Sequence, residues 1–277
     1  MRLATFFTLA ALATLALPVH ADTSWRERAS AEQTITADDV AAEVAFGREI
    51  AARILGRYKP YDNPALIKYV NLVGLSLARS ASRPELEFHF MVLDTDDINA
   101  YAAPGGYVFI TRGALLLMKD ESELAGALAH EIAHVAEKHV VKELNIKGAD
   151  DSAISGLAQL VGGSSESARA AFSQAVDKGL DMIFKNSYKR EDELQADKSA
   201  VTISALSGYN SIGLAKYLDR IGTIKGKVPE PPDSTHPTFT TRIAQINDVI
   251  QKEGINTNEL ATNKERFAAT IKSLKKS

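Results

Sequence analysis

The chain has 277 residues, with 32 Lys and Arg against 35 Asp and Glu, a formal net charge of −3 at pH 7, and no cysteine. A mildly acidic balance leaves no electrostatic footprint for nucleic acid, which is not expected as a partner. Without thiols the fold cannot depend on disulfides, and a lipid anchor built on a processed cysteine is not expected.

The first segment reads as a targeting sequence. Arg2 precedes the apolar run Leu3 to Leu17, and Val19-His20-Ala21 ends on a small residue. This is the pattern of a secretory signal peptide over residues 1–21. The run is shorter than the ~20 residues a membrane span needs, and no other stretch is apolar enough to expect a transmembrane span. Cleavage after Ala21 removes one positive charge, Arg2, and takes −3 to −4. Export with no further sorting signal predicts the periplasm. Residues 22–36 are expected to be a flexible N-terminal segment, and 37–277 a single domain with C-terminal helices.

Helical periodicity runs from Asp38 to Tyr58. Asn63-Pro64 is a cap and first-turn pair for a second helix reaching about Arg79. Leu86 to Leu93 alternates and then turns apolar, as a strand with one buried face does, and His89 lies opposite Phe88 and Phe90. Pro104-Gly105-Gly106 marks a turn, and Tyr107, Val108, Phe109, Ile110 and Thr111 form a β-rich run. That run is expected to be an exposed edge strand, against which an extended peptide substrate adds as a further strand.

The central stretch is Leu124 to Ala136. It reads as a helix, with Asp120 as cap and Glu123 in the reciprocal capping position. His130 and His134 stand at i and i+4, so both imidazoles leave one face a turn apart. At that spacing they can hold one Zn²⁺, and Glu131, beside the first ligand, can reach a water without binding metal itself. This is the H-E-x-x-H pattern, whose chemistry is metal-assisted peptide hydrolysis. His139, five residues beyond the motif, falls on a different helical face and is expected to be a capping or surface residue.

Residues 145–167 are rich in Gly, Ser and Asp and hold a hint of an amphipathic helix, a composition that does not by itself make a lid. A helix with Phe172, Val176, Leu180, Ile183 and Phe184 on one face leads to Ser187–Asp197. Catalytic zinc commonly takes three protein ligands and keeps one position open. Glu193 and Asp197, again i and i+4, supply one carboxylate for the metal and one to orient a ligand imidazole. Glu191 and Asp192 read as a solvated face. Two more helices are expected near Asn210 to Ile221 and Phe239 to Lys252, followed by a last amphipathic helix after Gly254.

These stretches resemble the family of zinc metallopeptidases that includes HtpX, BepA and the CAAX prenyl proteases. The resemblance rests on Asn99 to Gly113, the H-E-x-x-H helix, Glu193-x-x-Ala196-Asp197, and Thr235-His236-Pro237 with Arg242-Ile243. The last of these looks like a signature of the soluble periplasmic branch. The resemblance implies His130, His134 and Glu193 as ligands of one Zn²⁺ per chain, Glu131 as general base and Asp197 behind them. The fold implied is a compact α+β zincin-like metallopeptidase domain, mostly helical, with a small sheet whose edge strand lies over the zinc helix. The implied role is an exported zinc-dependent endopeptidase in quality control of misfolded cell-envelope proteins, with unfolded or misfolded envelope polypeptides as partners. The alternative is a zinc-stabilised peptide-binding protein or chaperone. His236, held extended by Pro237, is a candidate fourth ligand that would keep the enzyme off, or an oxyanion donor, with Arg242 as a second donor.

Overall fold

The computed structural model describes residues 36–144, 153–186, 188–225, 237–272 and 274. The expected signal peptide, nearly all of the segment over 22–36, and His236 lie outside the described residues.

Local chemistry starts the first two helices. Helix α1 (Ala37–Arg57) opens on a reciprocal cap: the Thr36 hydroxyl accepts from Asp39 N–H, and the Asp39 carboxylate accepts from Thr36 N–H. Asn63 caps α2 (Pro64–Ala78) by accepting from Leu66 N–H at 3.0 Å, with Pro64 where a missing donor costs nothing.

Three strands follow, β1 (His89–Leu93), β2 (Ala100–Ala103) and β3 (Tyr107–Thr111). Their order is β1-β3-β2, with β1 parallel and β2 antiparallel to β3. This corrects the expected edge strand: Tyr107, Val108, Phe109, Ile110 and Thr111 form the middle strand, paired on both sides, and have no free edge for a peptide. The reason lies in its faces. Val108 and Ile110 pack into one apolar cluster with Phe90 and Val92, while Tyr107 and Phe109 pack into a second with Leu93 and Tyr101. A strand buried on both faces reads as continuously apolar and belongs inside a sheet.

The hairpin between β2 and β3 is pinned from α1. Gly105 has φ 74°, and a Cβ there would lie 2.6 Å from Val44 Cα, so both its conformation and its contact call for glycine. The buried Glu43 carboxylate accepts from Gly105 N–H at 3.2 Å and pairs with the buried Arg83 at 2.8 Å. The outer edge of β1 is covered by the chain before α2, where Tyr61 N–H donates to Val92 O and Asp94 N–H to Lys59 O.

After α3 (Arg112–Leu117) comes α4 (Glu121–Ala136), every residue of which is buried. Asp120 caps it, accepting from Glu123 N–H at 3.1 Å. The Glu123 carboxylate departs from the expected reciprocal bond: it accepts from Lys119 N–H and from Arg220, 3.0 Å from Nη2. A charged partner brought in from a distant helix and the Lys119 N–H share this carboxylate. Gly126 lets α4 approach the backbone of α9 (Gly213–Lys225), since a Cβ there would lie 2.6 Å from Leu214 N. Glu121, fully buried, accepts from Tyr69 and from Asn263 and Arg266 of the C-terminal region.

The remaining helices are α5 (His139–Glu143), α6 (Ala153–Gly162), α7 (Glu166–Asp181), α8 (Arg190–Leu206), α10 (Phe239–Lys252) and α11 (Lys264–Ile271), with a π-helical turn at Met182–Asn186. The sheet divides the apolar interior: α2, α4, α8, α9 and α10 contribute to one side, and α1, α6 and α7 to the other. Of the segment over 145–167, the described part is mainly α6, which packs on α1 with Leu157 fully buried. The architecture is α+β, mostly helical around a small sheet, as a zincin-like domain is. No helix among the described residues is long and apolar enough to cross a membrane.

Candidate metal centre and cleft

His130 and His134 project from one face of α4, with ring centroids 4.6 Å apart and Nε2 atoms 3.0 Å apart. Glu193 reaches the same point from the first turn of α8, its carboxylate oxygens 3.6 Å from His130 Nε2 and 3.7 Å from His134 Nε2. Three acidic residues in that turn suit the positive end of the helix dipole. One atom from each of His130, His134 and Glu193 lies within 4.8 Å of the others. Two imidazoles and one carboxylate are a donor set for Zn²⁺ that leaves a fourth position for water or substrate.

Asp197, one turn along α8, is fully buried, with Oδ1 3.0 Å from His130 Nδ1. Arg242 of α10 grips this carboxylate with two nitrogens, Nε at 2.8 Å and Nη2 at 2.7 Å, and reaches Glu193 Oε2 with Nη1 at 2.9 Å. The guanidinium considered for oxyanion donation is therefore engaged with Glu193 and Asp197. Glu191 is exposed, and Asp192 is half-buried, with Oδ1 3.7 Å from His139 Nε2.

The electrostatics separate these groups. Burial pushes Glu131 up to about 7; Glu193 adds to the rise, and His130 and Arg242 oppose it. Burial also raises Glu193, but the Arg242 charge and the two histidines overcome it and hold that carboxyl far below its usual range. Burial and the Arg242 charge lower His130, yet hydrogen bonds to Asp197 and Glu193 outweigh both and leave it at about 9. His134 goes the other way: burial and the neighbouring His130 push it well below its usual value, so its imidazole is neutral.

Two contacts were not foreseen from the sequence. His139, expected at the surface, is 1% exposed, with Nδ1 2.8 Å from His134 Nδ1. The helical-face argument fails because α4 ends before it: Lys138 takes a left-handed conformation, φ 58°, and turns the chain so that α5 starts beneath His134. Tyr188, on the approach to α8, stacks on the His134 ring with centroids 3.8 Å apart. Neither carries a local signal, though a histidine just past a metal motif deserves testing as a partner of a ligand.

A cleft of about 360 Å³ opens over His130, Glu131, His134 and Glu193. One wall is the stripe Leu214, Tyr217, Leu218 and Ile221 of α9, at helical i, i+3, i+4, i+7 spacing, joined by Met182 and Phe239. The opposite wall is β2 with Asn99 before it. Thr111 N–H donates to Asn99 O, so the alternation of the antiparallel ladder turns the backbone polar groups of Ala100 and Ala102 away from β3. The strand beside the motif helix with an outward edge is thus β2. Together these walls form a groove whose floor is lined by a candidate metal cluster and a carboxyl raised to about 7.

Comparison with known proteins agrees with this chemistry. The chain is 26% identical over 225 residues to a beta-barrel assembly-enhancing protease of Yersinia pestis, covering 79% of this chain and 45% of that protein. It is 25% identical over 220 residues to the protease of that name in Escherichia coli K12, covering 76% and 44%. It is 26% identical over 162 residues to the metalloprotease YcaL of the same organism, covering 58% and 62%. The chain spans about half the length of the beta-barrel assembly-enhancing proteases it matches. The model of peptidase family M48 matches residues 64–250, well over half of the chain and including the motif helix, β2, Glu193 and Asp197, and the chain belongs to that family.

Proposed function

We propose that the chain is a zinc-dependent endopeptidase, with His130, His134 and Glu193 as the metal ligands and Glu131 as the general base. The observation that carries this reading is the convergence of three ligand-type side chains within 4.8 Å beside a glutamate raised to about 7. When bound, zinc supplies Lewis acidity, which polarises a carbonyl and acidifies water. Glu131, poised near neutral pH, takes a proton from the attacking water and hands it to the departing amine. Asp197 accepts the His130 Nδ1 proton, which turns the Nε2 lone pair toward the cluster. Arg242 keeps Glu193 and Asp197 ionised and in place. An extended peptide adds to the outward edge of β2 through its main chain and seats an apolar side chain against α9.

The chain acts in the periplasm, after export by the segment over residues 1–21, on misfolded cell-envelope polypeptides. The names of the relatives, which are beta-barrel assembly-enhancing proteases, support this role. His236, which lies outside the described residues, either holds the enzyme off by occupying the fourth position or assists catalysis by donating to the oxyanion.

Purified protein is incubated with unfolded casein, with and without chelator, and the products are read by mass spectrometry. Internal cleavage that chelator stops and zinc restores is the expected result. Holding of unfolded casein that is equal in both forms, with no new fragments, would favour the zinc-stabilised chaperone and end the endopeptidase reading.

A further inference from the structure

His139 sits at the centre of a run of polar contacts that begins at the buried His134 and ends at the surface with Gln195 and Glu137. From His134 Nδ1 the contact passes to His139 Nδ1 at 2.8 Å, and from His139 Nε2 to Gln195 Oε1 at 3.4 Å. Gln195 Nε2 then donates to Glu137 Oε2 at 2.6 Å, and the other Glu137 oxygen accepts from the Ser199 hydroxyl at 3.2 Å. The run ties the end of α4 to the start of α5 and to α8.

Its direction can be read from the chemistry of its far end. A carboxylate only accepts, so the Gln195 amide group donates to Glu137 and its carbonyl faces His139. That carbonyl accepts a hydrogen bond from His139 Nε2, and in the neutral imidazole this leaves Nδ1 as an acceptor. His134 must then carry its proton on Nδ1, and its Nε2 presents a bare lone pair to the point shared with His130 and Glu193. The Tyr188 ring, stacked on His134 at 3.8 Å, adds a packing constraint on the same imidazole.

We propose that His139, backed by Gln195 and Glu137, is a positioning residue of the metal centre, which fixes the tautomer and ring orientation of His134. The two histidines of the motif are then oriented by different means: His130 by the Asp197 carboxylate of α8, His134 by a neutral imidazole from α5. The proposal rests on the reading of His134 as a metal ligand.

The test is zinc affinity by competition with a chromophoric chelator, measured on the full chain. Wild type is expected to bind one zinc per chain. His139→Phe, which keeps a ring but removes the acceptor, should lose ~10–100-fold in affinity, the range seen when an outer partner of a ligand is removed. His139→Asn places an oxygen near the position of Nδ1 and should regain most of the loss. Circular dichroism checks that each variant is folded. Should His139→Phe fail to fold, Gln195→Leu, at an exposed position, carries the test with a smaller loss in the same direction. Unchanged affinity in folded His139→Phe, or a loss that His139→Asn does not relieve, would overturn the positioning role while leaving the ligand set intact. A wild type that binds no zinc would overturn the ligand set, and the positioning role with it.

Discussion

Glu131 on α4 and Glu193 on α8 face the same cleft, both of them taken largely out of water, and the protein treats them in opposite ways. Glu131 has burial as its dominant influence and rises to about 7. Glu193 suffers the same burial, but the Arg242 guanidinium at 2.9 Å and two imidazoles hold it ionised. A carboxylate that must accept and release a proton needs a pKa near the working pH. One that must hold a cation needs to stay charged. The difference comes from α10: its arginine is aimed at α8 and grips Glu193 and Asp197 there.

Substitutions that remove one side of this comparison should have the largest effects. Glu131→Gln keeps the shape and removes the base, and turnover should fall by about 10²–10⁴-fold while zinc content stays at the wild-type level. Metal analysis alongside casein cleavage checks both halves, and turnover that persists would assign the base elsewhere. Glu193→Ala should instead reduce metal affinity, by more than the ~10–100-fold lost with an outer partner. Glu191→Ala, an exposed neighbour in the same helical turn, should leave affinity unchanged. Equal retention of zinc in the two variants would remove Glu193 from the ligand set.

Other changes should sharpen the contrast. Arg242→Gln removes the cation that makes Glu193 unlike Glu131 and strands two buried carboxylates. Breaking a buried ionic cluster from one side costs about 3–5 kcal/mol, so the metal-free variant should unfold at a lower urea midpoint. Added zinc should narrow that gap. The smallest effect is expected from pH alone. His130, at about 9 in the metal-free protein, holds a proton that the metal must displace. Zinc affinity should therefore rise by up to about tenfold per pH unit between pH 6 and 8, as read in metal-buffered titrations. The sign for stability is opposite. A histidine raised from 6.5 to about 9 on folding stabilises the metal-free protein below 6.5, and that contribution is lost as pH climbs through 9. Metal-free melting temperatures that stay flat over that window would contradict the raised value.

What could be read from the residues divides along the range of the interactions. The cap at Asn63-Pro64, the helix over the motif and the shared face of Glu193 and Asp197 are local, and all three stand in the structure. The side-by-side order of strands is not local. Tyr107 to Thr111 has the composition of a strand but nothing that says how many neighbours it has, and its pairing with β1 is set by a distant segment. The Glu123 carboxylate was misread for a related reason: a capping box looks inward along four residues, while Arg220 comes from another helix. His139 failed through a geometric assumption, since Lys138 is a non-glycine residue in the left-handed region and gives no warning that α4 stops there. The grip of Arg242 on two carboxylates likewise depends on where α10 docks.

The burial of α4 along its whole length has a consequence for what its sequence can tolerate. In the H-E-x-x-H pattern the two middle positions are written as wildcards. Here they are Ile132 and Ala133, both fully buried in the larger apolar cluster. A larger side chain at Ala133 would have to displace core neighbours, and a smaller one at Ile132 would leave a void costing about 0.5–1.5 kcal/mol even for a single methyl. A saturation scan of this helix should therefore find its metal-facing and its unspecified positions comparably intolerant, the first through lost activity and the second through lost folded protein.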